Sequence, residues 1–138
     1  MKYQHIYNPE RFDLRDCYWE FHSIRDGEMA VRVEGVQILS GEDQGKIIEA
    51  AVVTFQGFRL TWFHLFKGKN EEISLSLDQA RALLADDSYL VFSYYCDDHE
   101  CELAAVEGKF FAMLFSFDSV QISWDAFRER PAGTLIRT

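Results

Sequence analysis

The chain has 138 residues, 48% of them hydrophobic, 27% charged and 15% aromatic. That composition fits one globular domain spanning 1–138 and excludes a disordered chain. Lys and Arg number 14 against 23 Asp and Glu, a net charge of −9, which excludes non-specific nucleic-acid binding as a function because that affinity comes from cations releasing counterions from phosphates.

Residues 1–9 lack the apolar core of a signal peptide, and no stretch approaches 18 uncharged apolar residues, so the chain reads as cytoplasmic with no membrane contact. Asn8-Pro9-Glu10 is a turn. From Cys17 to Ile24 the residues Cys17, Trp19 and Phe21 alternate with Tyr18, Glu20 and His22, the period of a strand. Asp26-Gly27 is a hairpin turn, after which Met29, Val31 and Val33 alternate until the parity flips at Gly35, which predicts a bulge. A polar turn at 41–45 leads to two apolar runs between Ile47 and Phe66. Gln56-Gly57 divides them as either a tight hairpin or a second bulge.

A loop at 67–72 and a short extended piece at 73–75 precede the one clear helix. Ser76 and Gln79 have the spacing of a capping box, and Leu77, Ala80 and Leu84 recur at helical period up to Asp86-Asp87. Tyr89 to Cys96 is apolar on both faces, the pattern of a central strand covered on both sides. Turns at 97–100 and 107–108 then divide a meander of Cys101–Val106 and Lys109–Phe117. Val120, Ile122 and Trp124 alternate in a last strand, and 125–130 is expected to add one helical turn before Pro131. The sum is an α+β fold: a mostly antiparallel, rolled or barrel-like sheet of about 7–8 strands with one main helix packed on it.

No signature of catalysis stands out. The four histidines are scattered, there is no G-x-S-x-G, and no Gly-rich loop opens a helix with Lys-Ser or Lys-Thr. Glu20 and His22 share a strand face, which on an antiparallel sheet is ordinarily a polar surface. Cys96, His99 and Cys101 surround a four-residue turn, but a zinc site needs a fourth ligand and a second closely spaced pair, so no metal or other cofactor is expected. The alternative for the two cysteines is that they face each other across a hairpin, as apolar neighbours or as a cross-strand disulfide under oxidising conditions. An odd set of three cysteines fits reduced thiols.

The aromatic group Tyr89, Phe92, Tyr94, Tyr95, Phe110, Phe111, Phe115 and Phe117 either fills the core or lines a cavity for a small apolar ligand. Phe58, Leu60 and Trp62 alternate with other apolar groups, so that strand is either central or offers one face to a partner or a second copy of the chain. The sharpest feature is electrostatic. Asp86, Asp87, Asp97, Asp98, Glu100, Glu102 and Glu107 fall in a segment without one Lys or Arg. With Tyr95 beside them and Trp62, Tyr89 and Trp124 as aromatic anchors, they suggest a docking surface for a basic protein. The expected function is non-enzymatic binding, most concretely an inhibitor or immunity-type protein that neutralises a basic toxin such as a nuclease. The alternatives are a binder of small apolar ligands and a metal- or thiol-dependent enzyme centred on Cys96, His99 and Cys101.

Overall fold

A computed structural model describes residues 2–68, 71–85 and 87–128. In chain order the elements are β1 (Tyr3–Ile6), β2 (Phe12–Asp13), β3 (Cys17–Arg25), β4 (Glu28–Ile38), β5 (Ile47–Gln56), β6 (Arg59–Phe66), β7 (Glu72–Ser74), α1 (Leu77–Leu84), β8 (Ser88–Cys96), β9 (Glu100–Val106), β10 (Phe110–Ser116) and β11 (Ser119–Trp124). All pair antiparallel in one sheet of order β1-β11-β5-β4-β3-β8-β9-β10-β6-β7, with β2 added on β4.

Two expectations are corrected by this architecture. The sheet has eleven strands rather than seven or eight, because β1, β2 and β7 are short pieces with too few residues to show a period. Its path is also open, ending on β1 and β7, where a closed barrel would have no ends. The single helix among the described residues has eight residues, so the fold is dominated by the sheet and the helix is an accessory.

The curl of the sheet comes from two long bent strands. Gln56-Gly57 is neither hairpin nor bulge, since β5 and β6 do not pair but follow one another. Their partners β10 and β11 also follow one another, with Arg59 opposite Ser116 on one side of the bend and Gln56 opposite Ser119 on the other. Gly57 turns at φ +73, and a Cβ there would collide with the Asp118 carboxylate that lies across the bend. Only glycine suits both demands. Phe55, Phe58, Phe115 and Phe117 cluster inside the corner, with Phe55 to Phe115 at 5.1 Å and Phe58 to Phe115 at 5.3 Å between ring centroids.

Gly35 also acts differently from a bulge. The inward parity changes on β4 between Val33 and Val36 and on β5 between Ala51 and Ile48, so both strands shift together and the register is preserved. The Arg128 guanidinium packs where a Cβ of Gly35 would point. Beyond β11 the chain stays extended: Phe127 bridges to Ile48 and the Arg128 amide donates to the Ile47 carbonyl at 2.7 Å. The expected helical turn is therefore absent over 125–128, and its remaining residues, 129–130, lie outside the described part.

One buried apolar cluster runs through the curl. Tyr3 and His5 stack on Trp124, which also meets Phe12 and Phe127, so β1 is held to the sheet by rings as well as by its ladder. Ser76 and Gln79 form the capping box that their spacing predicts. α1 buries Ala80 and Leu84, and it is tied down at two points. Arg81 Nε donates to the Ile24 carbonyl at 2.6 Å, and the Tyr89 hydroxyl donates to the Leu83 carbonyl at 3.0 Å. Among the described residues no helix is long and apolar enough to cross a membrane.

Candidate docking surface

Strands β8, β9, β10 and β6 point alternate residues into the core and onto an outer face. Inward go Tyr89, Val91, Cys101, Leu103, Ala105, Phe111, Met113, Phe115, Phe63 and Leu65, all buried. The outward residues form three rows across the strands, set by the register. Tyr95, Glu102, Leu114 and Trp62 make one row; Ser93, Ala104, Ala112 and His64 the next; Leu90, Val106, Phe110 and Phe66 the third. A bulge in β8 between Val91 and Ser93 adds Phe92 to this face, 5.4 Å from Phe110 by ring centroids. Two rows of large side chains thus flank a floor of Ser93, Ala104 and Ala112 that ends at His64.

This face lacks the cover expected for it. β8 does lie mid-sheet between β3 and β9, but Phe92 is 40% and Tyr95 78% exposed, so the strand is not covered on both sides. Phe110 and Val106 are also exposed, and they join Phe66 and Leu83 around a groove of about 800 Å³ with Lys67 and Lys109 beside it. Contiguous exposed apolar surface of this kind is uncommon outside interaction sites.

The acids adjoin one end of the face. The Asp97 amide donates to the Glu100 carbonyl at 2.9 Å, closing the hairpin, and the Asp97 carboxylate accepts the amides of His99 at 2.8 Å and Glu100 at 2.7 Å. Those two donors hold its carboxyl below the usual range. Asp98, Glu100 and Glu102 are exposed, and among the described residues no ion pair is formed by them. The Phe117 amide donates to the His99 carbonyl, bringing Asp118 and its partner Arg59 to the same corner. Tyr95, directly opposite Glu102, stands at the boundary between acids and apolar face.

The six described acids do not make one patch. Asp87 and Glu107 lie at the other end of β8, each near enough to Tyr89 to push its hydroxyl pKa upward, after burial as the main cause. A strand of nine residues separates the two groups by roughly 25 to 30 Å at about 3.3 Å per residue. Asp86 lies outside the described residues.

Of the aromatic anchors expected from sequence, Trp62 is on the outer face, stacked on His64 at 4.5 Å. Tyr89 and Trp124 are not available, being 0% and 1% exposed and part of the core. Alternation on a strand does not say which face is inside. Phe92 and Phe110, read from sequence as core or cavity lining, lie on the outer face instead, and Val106 and Leu114 beside them were not singled out, since a large apolar side chain reads as core wherever its strand parity is ambiguous.

Cys96 and Cys101 are register partners across β8 and β9, with free thiols. Among the described residues no group of three His, Cys, Asp or Glu is placed to hold a metal ion, so His99 does not join the two sulfurs. Glu20 and His22 do meet, at 2.9 Å, both half-exposed. No protein-family model matches the chain, and no curated protein or solved structure shows significant similarity to it.

Proposed function

We propose that the protein is a non-enzymatic binding domain that docks a cationic protein through the tip of the β8–β9 hairpin and the adjoining outer face. The observation that carries this reading is Tyr95, 78% exposed and opposite Glu102. Exposing a large ring costs solvation, and rings surrounded by fixed charge of one sign are what a desolvated interface centre with an electrostatic rim uses. In its most concrete form the partner is a basic toxin whose substrate groove must be cationic to hold its own ligand, and the chain is its inhibitor. Opposed charges then speed encounter, and the apolar face slows release.

The test is a paired capture from the native host's lysate, with the wild-type chain and with the triple variant Asp98→Asn, Glu100→Gln, Glu102→Gln as baits. Asp97 is left intact because its carboxylate holds the turn. A basic protein retained by the wild type at low salt, released at high salt and missed by the variant supports the reading. Equal retention by both baits overturns it.

The groove beside Lys67 and Lys109 favours a second reading, a small apolar ligand carrying an anionic group. It differs in that the triple variant leaves ligand binding unchanged while Phe110→Asp abolishes it.

A further inference from the structure

Cys96 and Cys101 face each other one pair before the hairpin tip. The next pair outward, Asp97 and Glu100, is joined by a backbone hydrogen bond, which makes Cys96 and Cys101 a non-hydrogen-bonded pair, the kind with Cα atoms about 4.5 Å apart and side chains closest. That separation is within the range a disulfide spans. Both side chains point to the inner side of the sheet. Cys101 is buried at 1% exposure, whereas Cys96 is half-buried.

Cys96 also lines a cavity of about 200 Å³ together with Tyr7, Tyr94, Tyr95 and Arg15. The Tyr7 and Tyr94 hydroxyls are buried beside it, Tyr7 close to Tyr94 and Tyr94 close to the Cys96 sulfur, and among the described residues neither makes a hydrogen bond of good geometry. They suit a small polar molecule entering beside the sulfur. The two thiols also differ in environment. Cys101 can donate to a Cys96 thiolate, which lowers the Cys96 pKa despite its partial burial and the nearby Asp97 and Asp98. Burial raises that of Cys101. Cys96, half-buried and lining the cavity, is thus the nucleophile of the pair, and the buried Cys101 is its resolving partner. Cys17 takes no part, since it lies opposite Val91, far along β8 from Cys96.

We propose that Cys96 and Cys101 are a redox-responsive dithiol which a peroxide converts into a cross-strand disulfide. In the first step the Cys96 sulfur attacks one oxygen of hydrogen peroxide. The S–O bond forms, the O–O bond breaks, and the departing hydroxide takes up a proton as water. In the second step the Cys101 sulfur attacks the Cys96 sulfenic acid; the S–S bond forms, the S–O bond breaks, and the hydroxyl leaves with the Cys101 proton as a second water. Two thiols and one peroxide give one disulfide and two waters, with two electrons passing from sulfur to peroxide. The proposal is independent of the docking reading, although the bond closes the same hairpin.

The test treats the reduced full chain with hydrogen peroxide, removes the peroxide with catalase, unfolds the protein and alkylates it with N-ethylmaleimide before mass spectrometry. All three cysteines, none of them in a disulfide, are expected to react before treatment. Afterwards the chain is expected to have lost two hydrogens and to react only at Cys17, with all three sites restored by dithiothreitol. In Cys101→Ala the same peroxide leaves Cys96 as a sulfenic acid trapped by dimedone, an adduct absent from the wild type. If that variant does not fold, as read by circular dichroism, Cys96→Ser serves instead, and Cys101 there is expected to stay alkylatable. Continued alkylation of all three wild-type thiols, oxidation of Cys96 to the sulfinic acid with Cys101 still reactive, or a disulfide joining two chains overturns the proposal.

Discussion

Tyr95 and Glu102 stand opposite one another on β8 and β9, both directed to solvent, at the seam between an acidic hairpin tip and an apolar sheet face. Charge and apolar area at such a seam act on different steps of association. Removing Asp98, Glu100 and Glu102 as charges is expected to slow association with the cationic partner about tenfold at low ionic strength, and to flatten its salt dependence. Tyr95→Ala is expected instead to speed dissociation, with a loss of about 2 kcal/mol in affinity, roughly thirtyfold. Stopped-flow or surface-plasmon kinetics separate the two. A triple variant that changes only the dissociation rate contradicts this division.

Gly57 and Gly45 both have positive φ, but only Gly57 has a neighbour where a Cβ would stand. Replacing either by Ala forces a side chain into a left-handed conformation, at about 1–2 kcal/mol. Gly57→Ala must in addition displace Asp118 and disturb the bend that both long strands share. Its melting temperature is expected to fall well below that of Gly45→Ala, and equal losses in the two variants contradict the account of the bend.

Much of this was legible from the chain. The alternation of Trp19 and Phe21, the Asp26-Gly27 turn, the Ser76–Gln79 box and the 97–100 hairpin are local, and the structure contains each where its residues point. The strand count and the outer face were not legible. Residues 3–6 form a strand only because Trp124, far along the chain, offers an aromatic surface to Tyr3 and His5. Gln56-Gly57 could not be resolved as a turn or a bulge because the deciding contact, Asp118, also lies far along the chain. The same ambiguity hid the direction of Trp62, and with it the face that Leu114, Ala112 and Phe110 share.

Tyr89, expected at an interface, works as an anchor for the helix through its bond to the Leu83 carbonyl. Tyr89→Phe keeps the ring packing and deletes that bond, so the stability lost is expected to be about 0.5–1.5 kcal/mol, with faster amide exchange confined to α1. Trp124→Ala removes the ring on which β1 stacks and is expected to cost about 3–5 kcal/mol. Chemical denaturation measures both. A Tyr89→Phe chain as stable as the wild type, with unchanged exchange in α1, contradicts the anchoring role.

Asp97 links the hairpin to pH. Its folded pKa lies below the unfolded value of about 3.9, because the His99 and Glu100 amides donate to the carboxylate. A lowered folded pKa means that its stabilisation is present above the unfolded value and is lost as pH falls through the folded one. Asp97→Ala is therefore expected to be less stable than the wild type at neutral pH, with the gap closing below about pH 4. Asp97→Asn retains an acceptor oxygen and is expected to lie between them. Denaturant midpoints for the three chains at neutral and acidic pH test this, and a gap that persists undiminished in acid contradicts it.

The most direct test of docking at the β8–β9 tip is carboxylate footprinting of the chain with and without its captured partner, using a carbodiimide and an amine label. Asp98, Glu100 and Glu102 are expected to be protected several-fold in the complex, while Asp87, exposed at the opposite end of β8, labels as before. Undiminished labelling of the tip acids in the saturated complex contradicts the account.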